Sequence, residues 1–324
     1  MSAISCIILA GGESKRFGED KAFFNFNGKS FLERALDAAS EISGDIVISV
    51  RGEDKINGCF AEAERVAKKR AESGKPSLVP KIIADDKNCG FKGPLKGIYS
   101  SIKILKGELT LVMECDAPFF NFYAAAELIR KLESEKTDAV VPLWPDSTVE
   151  PLLACYKTKK TAGILEILND YALNLKEHFL FTDSVNISRL LPSVYYYNIF
   201  DMFKNNPDLK AELFVNINSK KDLERYGRNE KISDKGGLKS VKIRKTNRFF
   251  DLKNPSARPY GILANALYFW WVYAKTGNFI YFRKSFEYFK KDAFNYHING
   301  LRFMGDKIIN LLPDPLGIMK AKNK

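Results

Sequence analysis

The residues most able to do chemistry lie in one short stretch, Leu9-Ala10-Gly11-Gly12-Glu13-Ser14-Lys15-Arg16-Phe17-Gly18-Glu19-Asp20-Lys21. Adjacent glycines lack Cβ atoms, so their backbone can approach a phosphate or a base closely and turn its N–H groups toward it. Arg16 adds a planar fork of donors and Lys21 a compact point charge. Two cations and a glycine turn in one loop suit a polyphosphate. The spacing is neither that of a Walker A loop, which needs G-K-[ST], nor the G-x-G-x-x-G of a dinucleotide turn. A plain glycine turn with solvated bases is the bland alternative, and the density of Gly, Arg, Asp and Lys at this spacing argues against it.

A carboxylate is the natural complement. Asp116, in Cys115-Asp116-Ala117-Pro118, closes an apolar run and is followed by a proline that stiffens the loop. Magnesium prefers oxygen ligands and takes one or two carboxylates while bridging substrate phosphates. The competing reading is an Asp that caps the next helix. Asp85-Asp86 offers a second acidic pair, in which composition makes Asp85 an equal candidate to Asp86. Glu150 follows a Pro- and Trp-rich segment (PLWPDSTVEP) that fits an acceptor-binding loop or an ordinary turn equally well.

The elements that must position these groups are legible. Apolar runs at 5–10, 45–50, 81–84, 109–113 and 139–143 read as strands. Helical spacing appears at 30–40, 53–73, 95–105 and 124–134 between them. Such alternation predicts an α/β fold: a mostly parallel, Rossmann-like sheet with helices on both faces. Ligands in such sheets sit beyond the carboxyl ends of the strands. Gly11-Gly12, Asp85-Asp86 and Cys115-Asp116 all follow strand ends, so they should converge on one rim.

Composition divides the 324 residues in two. From Arg225 onward, 21 Lys and Arg face 7 Asp and Glu, whereas the rest holds 30 bases and 32 acids. The expectation is a domain over 1–224 and a small, basic, aromatic-rich, mainly helical C-terminal domain over 225–324, joined near Gly236-Gly237. Five scattered cysteines without a C-x-x-C pair and only two histidines, His178 and His297, argue against structural zinc and a disulfide framework. The cysteines, Cys115 included, read as packing residues. No basic stretch precedes an apolar core with a cleavage site, so the cytoplasm is the expected compartment.

The glycine-rich stretch resembles the L-A-G-G-x-S-x-R-x-G-x-D-K signature of the molybdenum cofactor guanylyltransferase family, within the wider sugar-nucleotide-type nucleotidyltransferase fold. Further similarities follow in order: Phe26-Asn27-Gly28-Lys29 with Ser30 where proline is usual, Asp86 before Gly93-Pro94-Leu95-Lys96-Gly97, Cys115-Asp116-Ala117-Pro118, Glu150-Pro151-Leu152, and Asn216-Ile217-Asn218 before a short helix. The resemblance spans residues 1 to about 224 and implies transfer of GMP from GTP to molybdopterin with release of pyrophosphate. By it, Leu9, Ala10, Gly11 and Gly12 hold guanine and ribose, Lys21 meets the phosphates together with Arg16, and Asp86 and Gly93-Pro94-Leu95 bind the nucleotide. Asp116 holds Mg²⁺, with Asn218 as a neutral, weaker second ligand where related cytidylyltransferases carry Asp. Ser49 stands where the family often has an Asn that contacts guanosine. The same chemistry with CTP or another phosphorylated acceptor such as a sugar phosphate is the nearest alternative, and a non-catalytic nucleotide-binding regulator is the distant one.

Residues 225–324 have no counterpart in that pattern. Aromatics interleaved with bases (Phe269, Trp270, Trp271, Tyr273, Phe279, Tyr281, Phe282, Arg283, Lys284) could serve an acidic protein partner, an anionic membrane surface or, least of the three, nucleic acid. The simplest expectation is a helical unit that buries its aromatics against the catalytic body and lets its lysines reach around them to water.

Overall fold

A computed structural model of the protein describes residues 2–12, 17–18, 20–174, 184–206, 209–227, 238–245, 259, 261–310 and 312. In chain order the elements are β1 (Ile4–Leu9), the short hairpin β2 (Asn25–Phe26) and β3 (Lys29–Ser30), α1 (Phe31–Ser40), β4 (Asp45–Val50), α2 (Ile56–Glu72), β5 (Lys81–Ala84), α3 (Pro94–Ile102), β6 (Leu109–Glu114), α4 (Phe122–Glu135), β7 (Ala139–Leu143) and β8 (Ala154–Lys157). They continue with α5 (Thr158–Asn174), α6 (Val185–Leu190), β9 (Ser193–Asn198), α7 (Ile199–Asn205), α8 (Lys220–Gly227), β10 (Val241–Arg244), α9 (Ile262–Thr276), α10 (Phe279–Ile298) and α11 (Arg302–Asn310).

Among the described residues the central sheet has eight strands in the order β10-β9-β7-β8-β6-β1-β4-β5. All but β8 and β10 run parallel, as the alternation of strands and helices requires. The register sets Leu9 level with Ser49 on β4 and with Glu114 on β6, and Ala84 of β5 level with Val50. The residues that follow these four strand ends therefore share one rim.

Sequence chemistry fixes the helix starts. Ser30 caps α1 by accepting the Glu33 N–H at 2.9 Å, and Asn121 caps α4 through the N–H groups of Tyr123 and Ala124. Helix α3 starts at Pro94, whose missing N–H costs nothing in a first turn. Gly93 before it has φ 59° and ψ −149°, a conformation open essentially to glycine.

Alternate residues of β1 serve two cores. Ile7 packs toward α3 and α5, whereas Cys6 and Ile8 pack toward α1 and α4. The composition change at Arg225 is not a break in the packing. Strand β10 joins the edge of the main sheet against β9, and Trp270, Phe282 and Phe289 enter the same core as Ile7. Each is no more than 3% exposed, and such burial stabilises by roughly 1.5–3 kcal/mol per side chain. An ion pair lies within this junction: Arg189 donates to Asp292 at 2.8 Å, with exposures of 3% and 2%. Buried pairs gain little net energy, but losing one partner leaves a stranded charge, so removing either residue alone is costly.

The lysines of α10 lie over rings, Lys284 above Phe269 at 5.4 Å and Lys290 above Phe286 at 4.6 Å, as expected of stems covering apolar surface. Among the described residues no helix is long and apolar enough to cross a membrane. His297 pairs with Asp306 at 3.0 Å between α10 and α11. His178 and Gly236-Gly237 fall outside the described residues.

Candidate active site

The shared rim opens into a cleft of about 750 Å³. Ala10 stays tied to the sheet through its N–H to the Ser49 carbonyl at 2.9 Å, after which the chain leaves the ladder at Gly11. A Cβ on Gly11 would stand 3.2 Å from the Arg51 backbone nitrogen, so a glycine there lets β1 and β4 exit side by side without crowding. Leu9, Ala10, Gly11 and Gly12 all line the cleft. Arg16 lies outside the described residues.

One wall is built by β4, β5 and α3. Ser49 Oγ donates to Asp85 Oδ1 at 2.7 Å. Burial pushes the Asp85 carboxyl upward, and the Ser49 hydrogen bond opposes it. Gly97 brings α3 against this pair: a Cβ there would sit 2.8 Å from Ser49 Oγ and 3.0 Å from Leu9 Cδ2. Gly93 and Pro94 complete the wall.

Two expectations need correction. Asp86 does not line the cleft; its N–H donates to Ser100 Oγ and its carboxylate caps the turn by accepting the Asn88 N–H at 2.9 Å. The acid that faces the cleft is Asp85, because its N–H still pairs with the Val50 carbonyl at 2.8 Å and so extends the β5 register by one residue. Leu95 is 2% exposed and packs in the core beneath the cleft rather than on its surface.

The opposite wall holds Lys21, Asp116 and Asn218. Asp20 caps the turn that presents Lys21, whose Nζ stands 3.4 Å from Asp116 Oδ2 and 3.3 Å from Asn218 Oδ1. Asn218 arrives there because the Ile217 N–H donates to the Asp116 carbonyl at 2.7 Å and Asp222 anchors the Asn218 N–H at 2.8 Å. Burial pushes the Asp116 carboxyl up, and Lys21 pulls it back.

Asp116 Oδ1 is buried and has no hydrogen-bond partner. An orphaned carboxylate oxygen beside a neutral Asn oxygen suits a hard cation. No group of three or more His, Cys, Asp or Glu residues suited to a metal occurs among the described residues. A cation here would therefore take most of its ligands from phosphates and water. Cys115 is buried and its thiol is pushed up, which fits packing rather than nucleophilic chemistry.

Several groups carry no sequence signal strong enough to single them out. Lys55 donates to the Gly12 carbonyl at 3.1 Å and pairs with Asp20 at 2.9 Å, bracing the glycine loop from the turn that leads into α2. Arg51, Lys92 and Lys96 also line the cleft and raise its positive potential. The position of Arg51 just past β4, of Lys92 just before α3 and of Lys96 in its first turn was the available clue.

Beyond Asp116, the loop between β7 and β8 carries Trp144 and Glu150, joined by the indole N–H to Glu150 Oε1 at 2.7 Å. Burial holds the Glu150 carboxyl up at about 7, with the Trp144 hydrogen bond opposing and Asp116 adding to the rise. The folded protein thus binds more protons than the unfolded chain between the ordinary value of 4.5 and about 7. Stability falls as pH rises through that window. Glu150→Gln keeps the indole contact and removes the titration. Without divalent cations, the variant should melt above wild type at pH 7.5 and level with it near pH 4.5. Parallel melting profiles would reject this origin of the pH dependence.

With this geometry in view, the kinship of the chain is informative. Residues 6–179 match the family model described as MobA-like NTP transferase domain. A "Probable molybdenum cofactor guanylyltransferase" of Geobacillus sp. (strain WCH70) is 33% identical over 179 residues, covering 55% of this chain and 83% of the relative. A protein of the same description from Bacillus velezensis is 32% identical over 219 residues, covering 68% of this chain and 92% of the relative. The family match covers more than half of the chain and spans the glycine loop, Asp85 and Asp116, the groups that meet in the cleft. The chain belongs to the MobA-like NTP transferase family and is a nucleotidyltransferase.

Proposed function

We propose that this protein transfers GMP from GTP to the phosphate of molybdopterin and releases pyrophosphate, with Mg²⁺ as its metal. The observation that carries the reading is the meeting of Lys21, Asp116 and Asn218 within 3.4 Å at the mouth of the glycine loop. The naming of the relatives as probable molybdenum cofactor guanylyltransferases supports the acceptor.

Base preference follows from Asp85. An ionised carboxylate only accepts hydrogen bonds. Guanine presents two adjacent donors on its pairing edge, whereas cytosine presents acceptors at the corresponding positions and would leave the carboxylate facing lone pairs. The triphosphate would lie along the Gly11-Gly12 N–H groups toward Lys21. An acceptor phosphate is already anionic at neutral pH, so attack on the α-phosphorus needs no general base. Lys21 would neutralise charge on the phosphates, and Asp116 and Asn218 would hold the metal. Mg²⁺ supplies Lewis-acid polarisation of phosphate oxygens when bound. Positioning and charge neutralisation then carry the rate.

Pyrophosphate release with molybdopterin, Mg²⁺ and each of GTP, CTP, ATP and UTP tests this reading. GTP should be preferred, and Asp85→Asn should erode that preference by about 100-fold, the loss of one or two charge-assisted hydrogen bonds. Equal turnover of CTP and GTP by wild type would overturn the base assignment. No pyrophosphate with any of the four would overturn the acceptor.

A further inference from the structure

The family match ends at residue 179, and helices α9 to α11 lie beyond it. Helix α11 begins without a cap of its own. Leu301 carries the carbonyl that accepts the first helical hydrogen bond, from Gly305 at 3.2 Å, and a leucine side chain cannot satisfy the free N–H groups of the first turn. One of these, the Phe303 N–H, instead donates to Ser147 Oγ at 2.7 Å, across 156 positions of sequence. Ser147 is 4% exposed and sits at φ 70° at the tip of the β7–β8 loop. That loop closes on itself through Trp144 N–H to the Thr148 carbonyl and Ser147 N–H to the Trp144 carbonyl, at 2.8 and 3.0 Å.

The loop that borrows its anchor from α11 also carries Trp144 and Glu150 beside Asp116. The nucleotide wall is made by β1, β4, β5 and α3, so a second substrate has to approach Asp116 from the side of β6, β7 and β8. We propose that β10 and helices α9 to α11 are a built-in buttress of the acceptor wall, with Ser147 as the positioning residue through which α11 fixes the Trp144–Glu150 loop. This rests on the acceptor reading above. The extension is tied to the catalytic body by β10 on β9 and by the Arg189–Asp292 pair between α6 and α10.

The test is a double-mutant cycle in the full-length protein. Ser147→Gly removes the hydroxyl at a positive φ without strain. Phe303→Pro removes the N–H in a first helical turn, where proline is tolerated. Either change should raise KM for molybdopterin roughly fivefold, the loss of about one hydrogen bond. The KM for GTP should stay at the wild-type value, and the double variant should add nothing to either single one. Additive effects, or equal effects on both substrates, overturn the proposal.

Hydrogen exchange supplies a readout that needs no acceptor. Amides of residues 143–150 should exchange faster in Phe303→Pro, although the substitution lies in another element. Unchanged exchange there overturns the buttress even if molybdopterin proves to be the wrong acceptor, and faster exchange with no turnover by wild type leaves the buttress standing while the acceptor reading falls.

Discussion

Asp116→Ala should lower kcat/KM by about 10³-fold or more, on the order of 4 kcal/mol of transition-state stabilisation, and leave the fold intact. The effect originates at the orphaned Oδ1. A buried carboxylate oxygen without a partner is a cost to the free protein, and it is retained where a ligand repays it. The raised pKa says the same: burial disfavours the ionised carboxylate and Lys21 only partly compensates. Removing the side chain therefore removes a destabilising charge, and the backbone bond from Ile217 to the Asp116 carbonyl survives the substitution. The melting temperature of the metal-free variant should stay within a few degrees of wild type. Loss of activity with loss of folding would point to a structural role, and near-normal Mg²⁺-dependent pyrophosphate release would remove Asp116 from the metal site. Asp116→Asn, which retains an oxygen without the charge, should fall between the two.

The parts of this site that were legible from sequence were those fixed by local chemistry. Gly11-Gly12, Asp116 and Lys21 stand out because residue type and spacing are informative by themselves. Their convergence followed from the parallel-sheet rule, and the register that levels Leu9, Ser49 and Glu114 satisfies it. Asp85 was not separable from Asp86 by composition. The choice is made by a single ladder hydrogen bond that carries β5 one residue further, and by Gly97 pressing α3 against the Ser49–Asp85 pair. Lys55 was invisible for a similar reason. It reaches the glycine loop from a charged turn at the start of α2, and only its distances to the Gly12 carbonyl and to Asp20 distinguish it.

The fold was readable in its first half and less so afterwards. Strand β8, ACYK, is short and β9, SVYYYN, mixes polar with aromatic residues, so neither periodicity nor an apolar run marks them. Strand β10 reads locally as part of a basic stretch suited to a linker or an edge ribbon, and pairing with β9 makes it the edge ribbon. The change in charge at that place is a property of the surface, and the expected burial of aromatics against the catalytic body is seen at Trp270, Phe282 and Phe289. The bases of α10 and α11 other than those in ion pairs face outward, whereas Phe282, Phe289 and Tyr296 between them are core. Surface composition can change abruptly along a chain while the interior runs on unbroken.

Lys21→Ala should weaken binding of GTP by about 10²-fold, as expected for loss of a charge-assisted contact to phosphate, and leave guanosine binding within a factor of two. The asymmetry follows from where the lysine sits. Its ammonium faces Asp116 and Asn218 at the charged end of the cleft, with a side chain only 15% exposed, while Ser49, Asp85 and Gly97 form the far wall. A nucleoside that lacks phosphates reaches only that wall. Turnover should drop by a further 10²- to 10³-fold, because the charge on the phosphates grows during transfer and a fixed cation favours the later state more than the earlier one. Lys21→Arg should restore little. A planar fork needs two oxygens in its own plane, and the space between Asp116 and Asn218 is shaped around a point charge. Titration calorimetry with GTP and with guanosine separates the contributions. Equal losses for both ligands would mean that Lys21 shapes the cleft as a whole, and the assignment of the charged wall to the triphosphate would then have to be abandoned.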